Sequence, residues 1–255
     1  MNLKKSMYYR AKSFVEKENL SSALERNKLY DSDLRKLPIE LIETMETIKN
    51  YQCNANILMD IGAHIGLFSK AANAVFSFDK TICFEPNKEM KGIIESNNKK
   101  NNIIVENIAL SNKEGQATFY LHQDDSMNSL VESENEILKD EFPWDNPDLL
   151  KKTTVNTITL DKYIEKNSLI NETFFIKIDT QGNELNVLKN GINALRQTEI
   201  CLIEYMFTTP YKSDFSFYEL LELMSKSNFD CKGALTISKR ASKKISAVDF
   251  LFVKK

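Results

Sequence analysis

Ile57-Leu-Met-Asp-Ile-Gly-Ala-His-Ile-Gly-Leu67 is an apolar run that ends in Asp60 and passes into two glycines, Gly62 and Gly66. The residues after it, Leu67-Phe-Ser-Lys-Ala-Ala-Asn-Ala-Val-Phe76, carry apolar side chains at helical spacing. Together they predict a strand, a tight turn and a helix. In an open α/β sheet, ligands bind where strands end and helices begin, at the carboxyl edge. Gly62 lets a ligand approach the backbone, and the helix behind it starts with free N–H donors. The turn is not the dinucleotide fingerprint Gly-x-Gly-x-x-Gly, because His64 stands in place of the middle glycine.

A chain of 255 residues buries one good core with room for a small appendage. Its 42% apolar and 27% charged residues are those of a soluble globular protein. A formal net charge of −2 gives no electrostatic support to nucleic-acid binding. No apolar run reaches the length of a membrane span. The basic start, Met1 to Arg10, has no apolar stretch behind it, so it does not read as a signal peptide. Cys53, Cys83, Cys201 and Cys231 are far apart and read as reduced, buried thiols of a cytoplasmic protein. With only His64 and His122, no histidine-rich metal site is expected.

Working outward, residues 1–50 predict helices, among them Ser22-Ala-Leu-Glu-Arg and Ile39 to Ile48. They read as a packing cap on a domain over 51–255, with a lid or homodimer surface as the open alternatives. Thr81-Ile-Cys-Phe-Glu-Pro86 is a second buried strand ending in Glu85. Pro86 stops the ladder and can begin a helix. Glu85 falls where such folds place an acid on ribose hydroxyls, and a carboxylate accepts from both. Asn102 to Ser111 predicts a third strand, with Asn107 and Ala109 at the carboxyl edge. Two βα repeats and a third strand make half of a doubly wound sheet.

The rhythm breaks after Gln116-Ala-Thr-Phe-Tyr-Leu121, which alternates like an exposed strand. His122 to Thr153 is polar and irregular, and loops of that length in compact domains are functional or mobile. It holds the only tryptophan, Trp144, read either as a loop anchor or as a platform for a sugar face. His122 reads as a plain surface histidine. Val155 to Leu160, Thr173 to Asp179, Glu199 to Tyr205 and Val248 to Val253 are strands, with helices after Asp161, over Glu184 to Leu188 and over Phe215 to Met224. The basic stretch Ser238 to Lys244 leaves no room for a crossover helix, so the closing strands are expected to form an antiparallel hairpin.

These pieces resemble the FkbM family of S-adenosylmethionine (AdoMet)-dependent methyltransferases. Asp60-Ile-Gly-Ala-His-Ile-Gly66, Phe84-Glu-Pro86, Asn107-Ile-Ala-Leu-Ser111, Thr159-Leu-Asp161, Lys177-Ile-Asp-Thr-Gln-Gly-Asn-Glu184, Leu188-Lys-Asn-Gly191 and Ile203-Glu204 occur in the family's order, over about residues 56–205. The family commonly has Asn where His64 stands, and often Glu or Gln at Gln181. The resemblance implies a class I methyltransferase sheet, Rossmann-like and mostly parallel with an antiparallel last strand, beside the N-terminal helical cap. It also implies AdoMet held by Asp60, Gly62, Ala63, His64, Gly66, Glu85, Pro86, Asn107 and Ala109. Family members are mostly O-methyltransferases of sugars and natural products, which implies a small sugar or glycan acceptor in bacterial surface-glycan or natural-product synthesis.

Methyl transfer is an in-line displacement, so alignment matters most. A sugar hydroxyl is a poor nucleophile, and a general base takes its proton in the transition state. The candidates are Asp179, Glu204, Glu184 and His64, with Asp179 first because it ends the strand beside the first one. Its competing role is an ion pair with Lys177, since residues two apart on a strand share a face. Glu184 reads equally as a helix-start acid. Lys239, Arg240, Lys243 and Lys244 read as a solvated loop or as partners for the phosphates of a nucleotide-linked sugar. Other readings left open are another small hydroxylated acceptor, a non-catalytic AdoMet-binding subunit, and an NAD enzyme weakened by the missing glycine.

Overall fold

The structure is a computed structural model that describes residues 37–99, 101–213, 215–240 and 242–255. Helix α1 spans Ile39–Ile48; the helix expected near Ser22 lies outside the described residues. Then come β1 Ile57–Ile61, α2 Leu67–Val75, β2 Lys80–Phe84, α3 Lys91–Asn97, β3 Ile103–Glu106, β4 Ala109–Leu110 and β5 Gly115–Leu121. They are followed by α4 Asn135–Glu141, β6 Lys151–Ile158, α5 Leu160–Lys166, β7 Phe174–Ile178, α6 Glu184–Lys189 and α7 Ile192–Arg196. The chain closes with β8 Thr198–Met206, α8 Phe217–Lys226, β9 Phe229–Lys239 and β10 Ile245–Lys254.

Seven strands form the main sheet in the order β3-β2-β1-β7-β8-β10-β9. The first five run parallel, and β10 runs antiparallel to both its neighbours. This is the class I methyltransferase sheet expected from the sequence, with the closing hairpin in place. The chain order reverses between β1 and β7, which puts the topological switch point at the ends of those two strands.

The alternation of side chains builds two cores. Ile57, Met59 and Ile61 of β1 join Phe174, Ile176 and Ile178 of β7 under α5 to α8. Leu58 and Phe175 face the other way, against α1 and α2 through Met45, Ile48, Phe68 and Ala72. At the carboxyl edge this second face changes from apolar to charged: Asp60 continues Leu58, and Lys177 continues Phe175. Buried charges at the end of an otherwise apolar face mark a site where the fold places chemistry ahead of stability.

Three expectations are corrected. The stretch Asn102 to Ser111 is two strands: β3 ends at Glu106, and β4 pairs with β6, which also holds β5, in a separate three-stranded sheet. The loop His122 to Thr153 carries α4 and two 3-10 turns, and β6 begins at Lys151 rather than Val155. Short-range capping builds these turns, with Asp124 accepting from the Ser126 N–H and Asn146 from the Asp148 N–H. All four cysteines are free, but only Cys83 and Cys201 are buried, and Cys231 is exposed.

Candidate active site

The turn after β1 is built on backbone. The Gly62 and Ala63 N–H groups donate to the Phe84 carbonyl at 3.0 and 3.1 Å. Gly62 has φ +82°, and a Cβ there would lie 1.8 Å from the carbonyl oxygen of Asp179. Only glycine allows β1 and β7 to end this close together. Gly66, at φ +74°, starts α2.

Asp60 is fully buried. Its Oδ2 accepts from the Ser69 hydroxyl at 2.6 Å, while Oδ1 has no hydrogen-bond partner among the described residues. Burial raises its pKa against the pull of Lys177. Glu85 is also buried, with Oε2 accepting from the His64 N–H and Oε1 from the Asn87 N–H, both at 2.9 Å. Burial pushes its pKa up to about 7, although both N–H donors oppose the rise. Each carboxylate oxygen keeps a second lone pair for a hydroxyl. Pro86 directs the chain away from Glu85 into the 3-10 turn Lys88–Met90. Asn107 donates its amide to the Glu85 carbonyl at 3.0 Å, and Ala109 is buried with Phe119 and Val155 in the small sheet.

Beside this turn, one lysine and several acids share the charged face. Lys177 Nζ lies 2.8 Å from Asp179 Oδ2 and 5.6 Å from the centre of the Phe68 ring. Asp179 Oδ1 accepts from Gln181 Nε2 at 2.6 Å, and the same nitrogen lies 2.8 Å from Glu204 Oε2. Burial works against the Asp179 charge, but Lys177 and the Gln181 amide outweigh it and hold its carboxyl below the usual range. Glu204 is pushed well up, first by burial and then by Asp179, Asp249 and Glu184. Asp249, opposite Glu204 in the sheet, is raised to about 6 by burial and by Asp179. Asp179 is thus held in its charged form beside two carboxyls that keep their protons to higher pH, an arrangement that sets the acids of this edge apart.

Glu184 has another task. Its Oε1 accepts from the Thr180 N–H at 2.8 Å and the Thr180 hydroxyl at 3.1 Å, and its Oε2 from the Gly182 N–H at 3.0 Å. These bonds fix the turn in which Gln181 adopts φ +57° and points its amide at the two acids. His64, at φ +50°, places Nε2 2.7 Å from Asp125 Oδ1, which ties the first glycine turn to the long loop.

That loop is docked on the site. The Ser129 hydroxyl donates to the Gln181 carbonyl at 2.7 Å. The Tyr211 hydroxyl meets the Met127 carbonyl at 2.8 Å and Gln181 Oε1 at 3.2 Å. His122 is not a surface histidine: it is buried, with Nδ1 2.6 Å from Asp145 Oδ2 and its ring edge-on to Tyr211. The partner lies 23 residues further along, beyond the reach of local sequence patterns. Trp144 is both anchor and open face, 49% exposed and edge-on to Phe142 at 5.5 Å.

The structure therefore brings Asp60, Gly62, Ala63, His64, Gly66, Glu85 and Pro86 together with Asp179, Glu184 and Glu204 at one sheet edge. Sequence reasoning missed the bridge made by Gln181, the Asp125 contact, the Tyr211 hydroxyl and Asp249. Only Asp249 carried a signal, as a charge inside the apolar strand Val248 to Val253.

The sequence matches the methyltransferase FkbM domain over residues 60–231. No curated protein matches it. Among solved structures it resembles magnesium protoporphyrin IX methyltransferase from Synechocystis PCC 6803, at 7% identity and TM-score 0.46, over 89% of this chain and 85% of that one. It also resembles precorrin-6y C5,15-methyltransferase from Geobacter metallireducens GS-15, at 11% identity and TM-score 0.41, over 88% and 93%.

Proposed function

The chain belongs to the FkbM family of AdoMet-dependent methyltransferases, and from that premise we propose that it methylates a hydroxyl oxygen of a sugar, with Asp179 as the proton acceptor. The residues suit the donor. Asp60 keeps a buried oxygen without a partner among the described residues, suited to a cationic group directly or through water. Gly62 leaves the backbone open, and Glu85 offers paired lone pairs to the ribose hydroxyls. AdoMet supplies a methyl group made electrophilic by its cationic sulfur.

The contact between Gly62 and the Asp179 carbonyl carries the assignment, because it makes Asp179 the acid next to the donor turn. As a hydroxyl oxygen gains a methyl group its proton becomes strongly acidic. A carboxylate held below its ordinary pKa can still take that proton in the transition state. Lys177 and Gln181 keep Asp179 ionised and fix its direction, so the acceptor meets a preorganised charge. Glu204, pushed up, serves as a hydrogen-bond donor to that edge.

The sugar reading is supported by the half-exposed Trp144 on the loop that docks against this edge, a flat apolar face of the kind sugars stack on. The expected setting is surface-glycan or natural-product synthesis. The test is turnover of methyl-labelled AdoMet with a panel of sugars, nucleotide-linked sugars and non-sugar alcohols, followed by identification of the methylated atom. A sugar O-methyl product supports the reading; label transferred only to nitrogen or carbon, or only to non-sugar acceptors, overturns it.

A further inference from the structure

The turn between β9 and β10 lies at the same end of the sheet as the site. Asp249 pairs with Glu204, and β10 reaches back from there to Ile245, four residues and about 14 Å further out. The turn closes through the Arg240 N–H, which donates to the Lys244 carbonyl at 3.0 Å. Lys239, Lys243 and Lys244 are exposed on it, but Arg240 is only 4% exposed.

Among the described residues, Nε and both terminal nitrogens of Arg240 are buried without a hydrogen-bond partner. Its guanidinium lies 5.0 Å from the centre of the Phe142 ring, the ring against which Trp144 packs. The nearby carboxylate of Glu141 accepts from the Ser242 hydroxyl at 2.7 Å; its charge favours the Arg240 cation, but it makes no hydrogen bond to the guanidinium. A ring face offsets only part of the cost of burying a cation. An unpaired buried charge is costly, and a guanidinium fork is shaped for two oxygens of one oxyanion.

We propose that Arg240 is the anchor of an anion subsite, and that the acceptor carries a phosphate or carboxylate group at the end remote from the methylated hydroxyl. This rests on the methyltransferase reading and narrows its substrate class. Trp144 takes the face of the sugar, Arg240 binds the oxyanion between β9–β10 and Phe142, and the exposed lysines draw it in. The Ser242–Glu141 contact joins this turn to the end of α4 and parts when the ligand enters. The anion comes from one of two sources, the diphosphate of a nucleotide-linked sugar or the carboxylate of an acidic sugar.

Trp144, the only tryptophan, makes the subsite observable by its own fluorescence. Uridine diphosphate and glucuronate are titrated separately into wild-type protein, Arg240→Lys and Arg240→Met, and AdoMet affinity and melting temperature are measured on the same samples. Wild type is expected to respond to one or both anions, and the responding anion identifies the source. Arg240→Met should weaken that binding by tenfold or more, with Arg240→Lys in between. AdoMet affinity should stay unchanged in both variants. The melting temperature of Arg240→Met should hold or rise, since an unpaired buried charge is replaced by an apolar stem. If wild type responds to neither anion, or Arg240→Met binds them as wild type does, the proposal falls. A lower melting temperature with unchanged anion binding assigns Arg240 to packing on Phe142 and overturns it as well. AdoMet affinity, read separately, reports on the methyltransferase reading alone.

Discussion

Lys177 and Asp179, two residues apart at the end of β7, are joined at 2.8 Å on the charged face of the sheet, and the lysine side chain is only 11% exposed. The ion pair and the catalytic role stood as alternatives in the sequence. They are compatible: the lysine that pairs with Asp179 is also what keeps it ionised within a cluster of acids.

Asp179→Asn keeps the shape and removes the charge. Turnover should fall by roughly 10²–10⁴, with AdoMet affinity nearly unchanged. Stability should fall by about 1–3 kcal/mol, because Lys177 loses a charged hydrogen bond in a largely buried position. The Asp179 pKa is depressed, so the pair stabilises the fold above the ordinary carboxylate range and stops doing so as pH falls through the depressed value. The gap between the wild-type and variant melting temperatures should therefore narrow in acid. A stable variant that binds AdoMet and turns over normally would pass the role to Glu204, Glu184 or His64.

Gly62→Ala tests the contact on which the assignment rests. An added Cβ at φ +82° would meet the Asp179 carbonyl oxygen at 1.8 Å, and the clash is with backbone. β1 and β7 must part or the turn must rearrange. Calorimetry should find AdoMet binding lost, with a fall in melting temperature larger than the roughly 1 kcal/mol of an ordinary glycine replacement. Wild-type affinity in this variant would mean that the donor lies elsewhere.

Glu85 should make AdoMet binding depend on pH. Its pKa in the free protein is about 7, and ribose hydroxyls donate to the ionised carboxylate, so binding lowers that pKa. Affinity should be fully developed above pH 7 and decline below it, by at most about tenfold per pH unit. Glu85→Gln should bind weakly at every pH, with this slope gone. A slope that survives the substitution would have to arise from a group other than Glu85.

The His64–Asp125 contact at 2.7 Å predicts that the loop and the donor turn respond to one another. Asp125→Ala should lower hydrogen-exchange protection over residues 122–130 and raise KM for the acceptor more than it changes AdoMet affinity. Acceptor binding to wild type should raise protection in the same segment. Equal exchange with and without acceptor would separate the loop from the acceptor site.

What could be read from the sequence was what local chemistry fixes. Asp60-Ile-Gly62 announces a strand end, and Phe84-Glu-Pro86 a second one, because a carboxylate after an apolar run has nowhere to sit but the edge. The hairpin of β9 with β10 was legible, but the bounds of β9 were not: most of its residues are exposed or half-buried, it lies at the sheet edge, and its register shifts against β10. Strand β4 was not told apart from β3 because a two-residue strand has no periodicity to detect. The His122–Asp145 pair and the burial of Arg240 depend on segments that meet only in the folded chain.

The last strand of the main sheet is not at its edge. β10 is inserted between β8 and β9, both made before it, and it carries Asp249 to its place opposite Glu204. On the ribosome, β8 therefore emerges with one side unpaired and must wait for residues 245–254 before it is covered. Its sequence, Thr-Glu-Ile-Cys-Leu-Ile-Glu-Tyr-Met, is the kind of exposed apolar edge that recruits other chains. The nascent protein is most vulnerable to misassembly just before synthesis of β10 is complete, and the acid cluster of the candidate site is finished by the same strand that ends this exposure.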